Sequence, residues 1–195
     1  FKTIDGGRTW LQITTINTLN PSYNCVFFTS ADIGYVGDET GQLYKTLNGG
    51  LTWFNLTTGI TTGIRCIYFS DAQTGWFAGV GGILKKTTNA GSTWTTQTSN
   101  TNAVIGSFSF ISGTTGWFNT TTLVFKTTDG GATWSNVSTI TTGILQLNFI
   151  DANNGWLVSQ DFSNQIRKTT NGGVTWTTQY FNNVSYMTSV YFVNA

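Results

Sequence analysis

Residues 168–176 read KTTNGGVTW, and the same nine-residue phrase occurs four more times without a gap: KTIDGGRTW at 2–10, KTLNGGLTW at 45–53, KTTNAGSTW at 86–94 and KTTDGGATW at 126–134. The closing tryptophans stand 43, 41, 40 and 42 residues apart. A second landmark recurs between the phrases, a phenylalanine followed six residues later by glycine and an aromatic. Its copies are Phe28 to Gly34-Tyr35, Phe69 to Gly75-Trp76, Phe110 to Gly116-Trp117 and Phe149 to Gly155-Trp156, and Phe192 opens another. A fixed period of this length marks a repeat architecture, in which each unit buries its neighbour's apolar face.

One unit can be read strand by strand. Alternation predicts strands over 64–69, 75–80, 83–87 and 92–96. Composition agrees: aromatics make up 15% of the chain, charged residues 9%, and there is one Pro, so the chain is neither disordered nor helical. Ser30, Asp71, Ser112, Asp151 and Asn194, two residues past each landmark Phe, can bond main chain two residues on and start the first turn. Within the phrase, Asp5, Asn48, Asn89, Asp129 and Asn171 supply a short acceptor for the N–H groups of the third-to-fourth turn. Gly7, Gly50, Gly91, Gly131 and Gly173 follow where that turn needs positive φ. Trp10, Trp53, Trp94, Trp134 and Trp176 then lay an apolar lid over it.

A hairpin unit is marginal alone and must be covered on both faces, which is the logic of a propeller. The expected fold is all-β, a β-propeller of four-stranded antiparallel blades with the phrase at each turn between third and fourth strands. Blades are expected at 24–63, 64–103, 104–142 and 143–185, with the end of one blade at 1–23 and the start of another at 186–195. A closing blade shared by the two ends would lack its second strand. The chain is therefore read as part of a larger ring of roughly six to eight blades, the alternative being a five-bladed ring with a thin closing blade. Open blade edges offer a route to self-assembly.

The pattern [S/T]-x-[D/N]-x-G-x-[T/S]-W, met by all five phrases, resembles the Asp-box, or bacterial neuraminidase repeat. With the Phe-to-Gly-Trp landmark and the Lys-Thr pair, the units look like those of photosystem II stability/assembly-factor-like propellers of secreted bacterial type. Asp-boxes also occur in sialidases, xyloglucan hydrolases and sorting receptors, so the resemblance implies a fold more than an activity. It also implies that the boxes lie on one face and that ligands approach the other, through the fourth-to-first and second-to-third loops. That face would carry Tyr23, Asp38, Glu39, Arg65, Asp161, Phe162 and Tyr180, the ligand-binding candidates.

Residue chemistry narrows the function. The chain has no His, which removes Ser-His and Cys-His nucleophile activation and the commonest zinc ligand. No metal site or cofactor is expected. A net charge of +1 gives no footprint for nucleic acid, and no apolar run is long enough for membrane insertion. Of eight acids, Asp5 and Asp129 belong to boxes and Asp32, Asp71 and Asp151 to first turns. Asp38, Glu39 and Asp161 remain, and they read as solvated loop acids badly spaced for a glycosidase pair. Arg8, Arg65 and Arg167 occupy non-equivalent positions and do not form the arginine triad a sialidase needs.

Cys25 and Cys66 hold the same place in successive units, so a disulfide and two free thiols both stay open. Asn55, Asn119, Asn136 and Asn183 head glycosylation sequons. The expected function is a non-catalytic extracellular binding or scaffold module for a protein or glycan ligand. The alternatives are a glycoside hydrolase with catalytic residues partly outside the chain, and a structural subunit of an extracellular assembly.

Overall fold

The computed structural model describes residues 1–13, 16, 22–140, 143–160, 164–182 and 187–192, without the side chains of 139, 164 and 180–182. Its strands form four antiparallel sheets of four, each in simple chain order. The first holds β1 (Tyr23–Phe28), β2 (Gly34–Asp38), β3 (Leu43–Thr46) and β4 (Phe54–Leu56). The second holds β5 (Ile64–Phe69), β6 (Gly75–Gly79), β7 (Leu84–Thr87) and β8 (Thr95–Thr96). The third holds β9 (Ser107–Phe110), β10 (Gly116–Asn119), β11 (Leu123–Thr127) and β12 (Ser135–Thr139). The fourth holds β13 (Gly143–Phe149), β14 (Gly155–Gln160), β15 (Asn164–Thr169) and β16 (Thr177–Asn182). The first strands β1, β5, β9 and β13 pack side by side, so the sheets are propeller blades around a common axis. The described sheets do not close into a ring. Lys2 pairs with Leu11 ahead of the first blade, as the third and fourth strands of another unit would.

The fourth strand is shorter than expected. The sequence predicts 92–96, but β8 begins at Thr95 because Ser92 and Thr93 belong to the turn. Their N–H groups donate to Asn89 O at 3.1 Å and Asn89 Oδ1 at 2.9 Å.

Every box is closed by one hydrogen-bond circuit. In the first, Thr9 N donates to Asp5 Oδ1 at 2.9 Å, and the Thr9 hydroxyl donates to Oδ2 at 2.7 Å. Thr3 Oγ1 donates to Asp5 and accepts Gly7 N at 2.8 Å. Where Asn replaces Asp the circuit survives by reversing one bond: Asn48 Nδ2 donates to Thr52 Oγ1 at 2.8 Å. A hydroxyl can donate or accept, which is why the position tolerates both residue types. The turn puts two residues, not one, at positive φ; in the third box the first is Ala90, at φ 55°. The tryptophan lids are uneven. Trp134 is buried, Trp53, Trp94 and Trp176 are half-buried, and Trp10 is exposed.

The blades are joined by a second repeated device. The landmark aromatic of each second strand stacks on the landmark Phe of the next blade: Tyr35 on Phe69 at 4.1 Å, Trp76 on Phe110 at 4.5 Å and Trp117 on Phe149 at 3.8 Å between centroids. Lys45, Lys86 and Lys126 cover the outer faces of these rings at 5.3, 5.1 and 4.8 Å. Lys45 Nζ and Lys86 Nζ also donate to the next blade's box carbonyls, Ala90 O at 2.8 Å and Gly130 O at 2.6 Å. Each joint encloses its own core, such as Leu84, Ile105, Phe118 and Phe125 between the second and third blades. Beyond the fourth blade, Phe192 stacks on Trp156 at 4.1 Å under Lys168.

The landmark spacing follows from this joint. Each Phe pairs across its hairpin with the landmark Gly, as in Phe110↔Gly116, and its ring lies where that glycine's side chain would be. A Cβ at Gly34 or Gly155 would stand 2.6 Å from the ring of Phe28 or Phe149. Space, not φ, demands glycine here.

Two outcomes follow. Gly116→Ala, which pushes Phe110 off Trp76, destabilises the chain by about 1–3 kcal/mol, and Phe110→Ala by about 3–5 kcal/mol, in denaturant titrations. Acid should act through the boxes. Bonds from Thr133 and Thr127 hold Asp129 down to about 2, and bonds from Thr9 and Thr3 do the same for Asp5. Their contribution is present above pH ~4 and lost as the pH falls toward 2. Asp5→Asn/Asp129→Asn should flatten the fall of melting temperature across that window, and an unchanged profile would contradict this origin.

Candidate functional site

The connections between second and third strands lie at the opposite end of each sheet from the boxes, because adjacent strands are antiparallel. Here the first two blades bring several candidates together. Exposed Arg65 on β5 donates from Nη1 to Asn24 Oδ1 at 3.2 Å, and Asn24 Nδ2 donates to Ile64 O at 3.0 Å. Exposed Glu39 is tied through its N–H to Ser22 O at 3.1 Å. Tyr23 is part-exposed, with its ring edge-on to Tyr44 at 6.2 Å and its hydroxyl donating to Ile16 O at 3.3 Å. Tyr23, Glu39 and Arg65 thus share one rim across two inner strands. Asn24, which accepts from Arg65, was not singled out in the sequence because a lone Asn within a strand carries no motif.

Asp38 corrects the expectation of a solvated loop acid. It is 1% exposed, and its Oδ1 accepts Thr40 N at 2.8 Å, Thr40 Oγ1 at 2.9 Å and Gln42 N at 2.9 Å. The carboxylate clamps the β2–β3 turn, and its buried Oδ2 has no hydrogen-bond partner. Thr120, at the matching place in the third blade, caps its turn in the same way by accepting the N–H groups of Thr122 and Leu123. Asp161 and Phe162 lie outside the described residues, as does the side chain of Tyr180.

The remaining acids serve their own turns. Asp71 Oδ1 accepts the N–H groups of Gln73 and Thr74 at 2.7 Å each, and Asp151 Oδ1 accepts those of Asn153 and Asn154 at 2.8 and 2.7 Å. The Asp71 carboxyl is lowered by its N–H bonds, and that of Asp151 by the Asn154 side-chain amide, which donates to Oδ2 at 2.9 Å, together with its N–H bonds. Among the described residues no three His, Cys, Asp or Glu side chains gather as a metal site, and no helix is long and apolar enough to cross a membrane.

The structure bears on two further sequence readings, the open cysteine alternative and the sequons. Cys25 and Cys66 are free thiols rather than a disulfide. Cys25 packs into the joint between the first and second blades and Cys66 into the next, so matching positions face different cores. Of the sequons, Asn119 is buried, taking Ser107 Oγ on Oδ1 and donating from Nδ2 to Thr120 O at 3.0 Å, so it is closed to a glycan. Asn55 and Asn136 are exposed, and Asn183 lies outside the described residues.

A cleft of 1090 Å³ separates residues 1–13 from the first blade and is lined by Phe1, Ile4, Trp10, Ile13, Val26 and Phe28 among others. No sequence signal pointed to it.

Fold and repeats define a β-propeller repeat protein. The chain is similar in fold to YCF48 from Cyanidioschyzon merolae, with a TM-score of 0.66 and 19% identity over 90% of this chain and 64% of that one. It is also similar to YCF48 bound to D1 peptide, at TM-score 0.54 and 14% identity over 80% of this chain and 66% of that one. A GH74 enzyme from Niastella koreensis matches at TM-score 0.65 and 20% identity, over 77% of this chain and 28% of that one. The chain thus spans less than two thirds of the length of the first of these propellers. No protein-family model matches it, and no curated protein matches it.

Burial pushes the Cys25 thiol up to about 12 and raises Cys66 well above the usual range. Thiols need the thiolate to react. Both should therefore resist Ellman's reagent at neutral pH in the folded chain and react promptly in guanidinium, and fast native labelling would contradict this packing.

Proposed function

We propose that the chain is a non-catalytic, extracellular binding or scaffold module made of Asp-box units from a larger propeller, with a protein ligand docked on the rim opposite the boxes. The observation that carries this reading is the engagement of the acids. Asp5, Asp38, Asp71, Asp129 and Asp151 all bond the N–H groups of their own turns. Asp5, Asp71, Asp129 and Asp151, lowered by such bonds, are poor general acids at neutral pH, and turn-bound carboxylates are badly placed to flank a glycosidic bond. The rim of Tyr23, Glu39 and Arg65 offers instead an aromatic and both signs of charge, the mixture that protein interfaces use.

A protein is favoured over a glycan for two reasons. Of the eight tryptophans that could stack on sugar, Trp76, Trp117, Trp134 and Trp156 are buried, Trp53, Trp94 and Trp176 are half-buried as box lids, and Trp10 alone is exposed. A structural neighbour is described as bound to a D1 peptide. The extracellular assignment rests on the low charge and the exposed sequons at Asn55 and Asn136.

Peptides selected by display against the immobilised chain should lose binding roughly tenfold or more on Glu39→Ala/Arg65→Ala. Full retention would remove the rim as the site. Release of reducing sugar from xyloglucan or related polysaccharides would favour the hydrolase alternative and overturn the non-catalytic reading.

A further inference from the structure

The second blade carries a cation where its neighbours carry a ring. The residue before the phrase lysine is Tyr44 in the first blade and Phe125 in the third, 5% and 3% exposed. In the second blade it is Lys85, half-buried on β7 opposite Phe77 and Thr96. Lys45, Lys86, Lys126 and Lys168 all lie over aromatic rings. Lys85 has no hydrogen bond, ion pair or ring contact among the described residues. Its counterpart in the fourth blade, Arg167, is engaged, donating from Nε to Gln165 Oε1 at 2.9 Å. A half-buried ammonium without a partner gives up hydration uncompensated, and the position forgoes the ring burial its neighbours gain.

Lys85 lines a second cleft, of 690 Å³, between residues 81–85 and the loop 96–102, with Ile60 of the first blade on its wall. Its lining holds no acid and no aromatic ring; Gln97, Thr98 and Asn102 stand around the lysine, and Ile60 and Ile83 supply apolar surface. The loop is fixed without any ligand. Gln97 N donates to Leu84 O at 2.9 Å and Ser99 Oγ to Gly82 O at 2.7 Å. Asn100 Nδ2 donates to Trp134 O at 2.7 Å, which ties the loop to the third blade. The cleft thus lies among internal blades, away from both chain ends. A wall already in place loses little freedom when a ligand binds.

We propose that this cleft takes an acidic side chain of a protein ligand, its carboxylate paired with Lys85 and the adjoining peptide groups met by the amides of Gln97 and Asn102. The lysine supplies the charge, and the absence of any acid in the lining leaves nothing to repel a carboxylate. An acidic glycan is the poorer occupant, because no ring lines the cleft for a sugar face to stack on. The cleft continues the rim outward along the second blade. Val80 N donates to Gly63 O at 3.0 Å, and a Cβ on Gly63 would stand 3.2 Å from Glu39 O. The inference sharpens the protein-binding reading, on which it rests, by giving the ligand an acidic segment at this end.

The probe is a rhodamine-labelled triglutamate peptide, titrated into the full 195-residue chain by anisotropy at low salt, with triglutamine as its neutral control. Saturable one-to-one binding of triglutamate is expected. It should weaken roughly tenfold in Lys85→Gln, at an unchanged melting temperature, and Lys85→Arg should keep most of it. Arg8→Gln removes the same charge from an exposed box residue at the other end of the sheets and should leave binding unchanged. Glu39→Ala/Arg65→Ala should also leave it unchanged, so a failure of the rim and a failure of the cleft are read separately. Absence of binding, equal binding of triglutamine, indifference to Lys85→Gln, an equal loss in Arg8→Gln, or displacement by an oligogalacturonate but not by unlabelled triglutamate would overturn the proposal.

Discussion

The structure depends on an aromatic ring held between a lysine of its own blade and a phenylalanine of the next. One blade buries little by itself, since β8 is two residues long and several fourth-strand residues are exposed. Burying a phenylalanine is worth about 1.5–3 kcal/mol, and a stacked partner adds about 0.5–1.5 kcal/mol. Lysine over a ring contributes about 0.5–1 kcal/mol more at exposed sites. The ring connects neighbouring sheets, so this stability exists only where two blades meet. A chain of such joints behaves as a one-dimensional array, in which an internal blade is held on both faces and a terminal one on a single face.

Polar groups reinforce the joint where the inner strands lie too far apart to share a ladder. Ser107 and Ser109 on β9 accept the N–H groups of Leu147 and Phe149 on β13, and Gln146 and Asn148 on β13 accept those of Val190 and Phe192. Their counterparts in the first two blades are Cys25 and Phe27, then Cys66 and Tyr68, which pack into the apolar joints, with the Cys66 thiol reaching Ile105 O at 3.9 Å. The joints thus share a ring stack but differ in how they treat the main chain near the axis. That difference explains the cysteines: they are small apolar fillers at a position where later blades place hydroxyl or amide groups.

Much of the fold was legible because it rests on local chemistry. The box needs a short acceptor, two hydroxyls and a turn of positive φ, all within nine residues, so spacing alone reveals it. The strand order follows from the period. The joint was not legible, because Lys86, Trp76, Phe110 and Gly130 meet only after two blades have stacked. A sequence reading could assign each a repeat position without learning that they touch. The site was less legible still. Asp38 resembled a solvated acid because nothing local distinguishes a carboxylate that clamps its own turn from one facing water, and Asn24 belongs to no pattern.

This division between joint and rim bears on where function can reside. Residues that build boxes and joints are constrained on several sides at once, as Gly116 is by Phe110 and Trp117 by Lys126, Phe149 and Gly172. Substitution there costs stability before it can change recognition. The connections between second and third strands differ among the first three blades: Asp38 clamps the first, glycines turn the second and Thr120 caps the third. A repeat fold of this kind therefore separates the two demands. Stability is carried by what the units share, and what each unit does not share, at its rim, is left to vary.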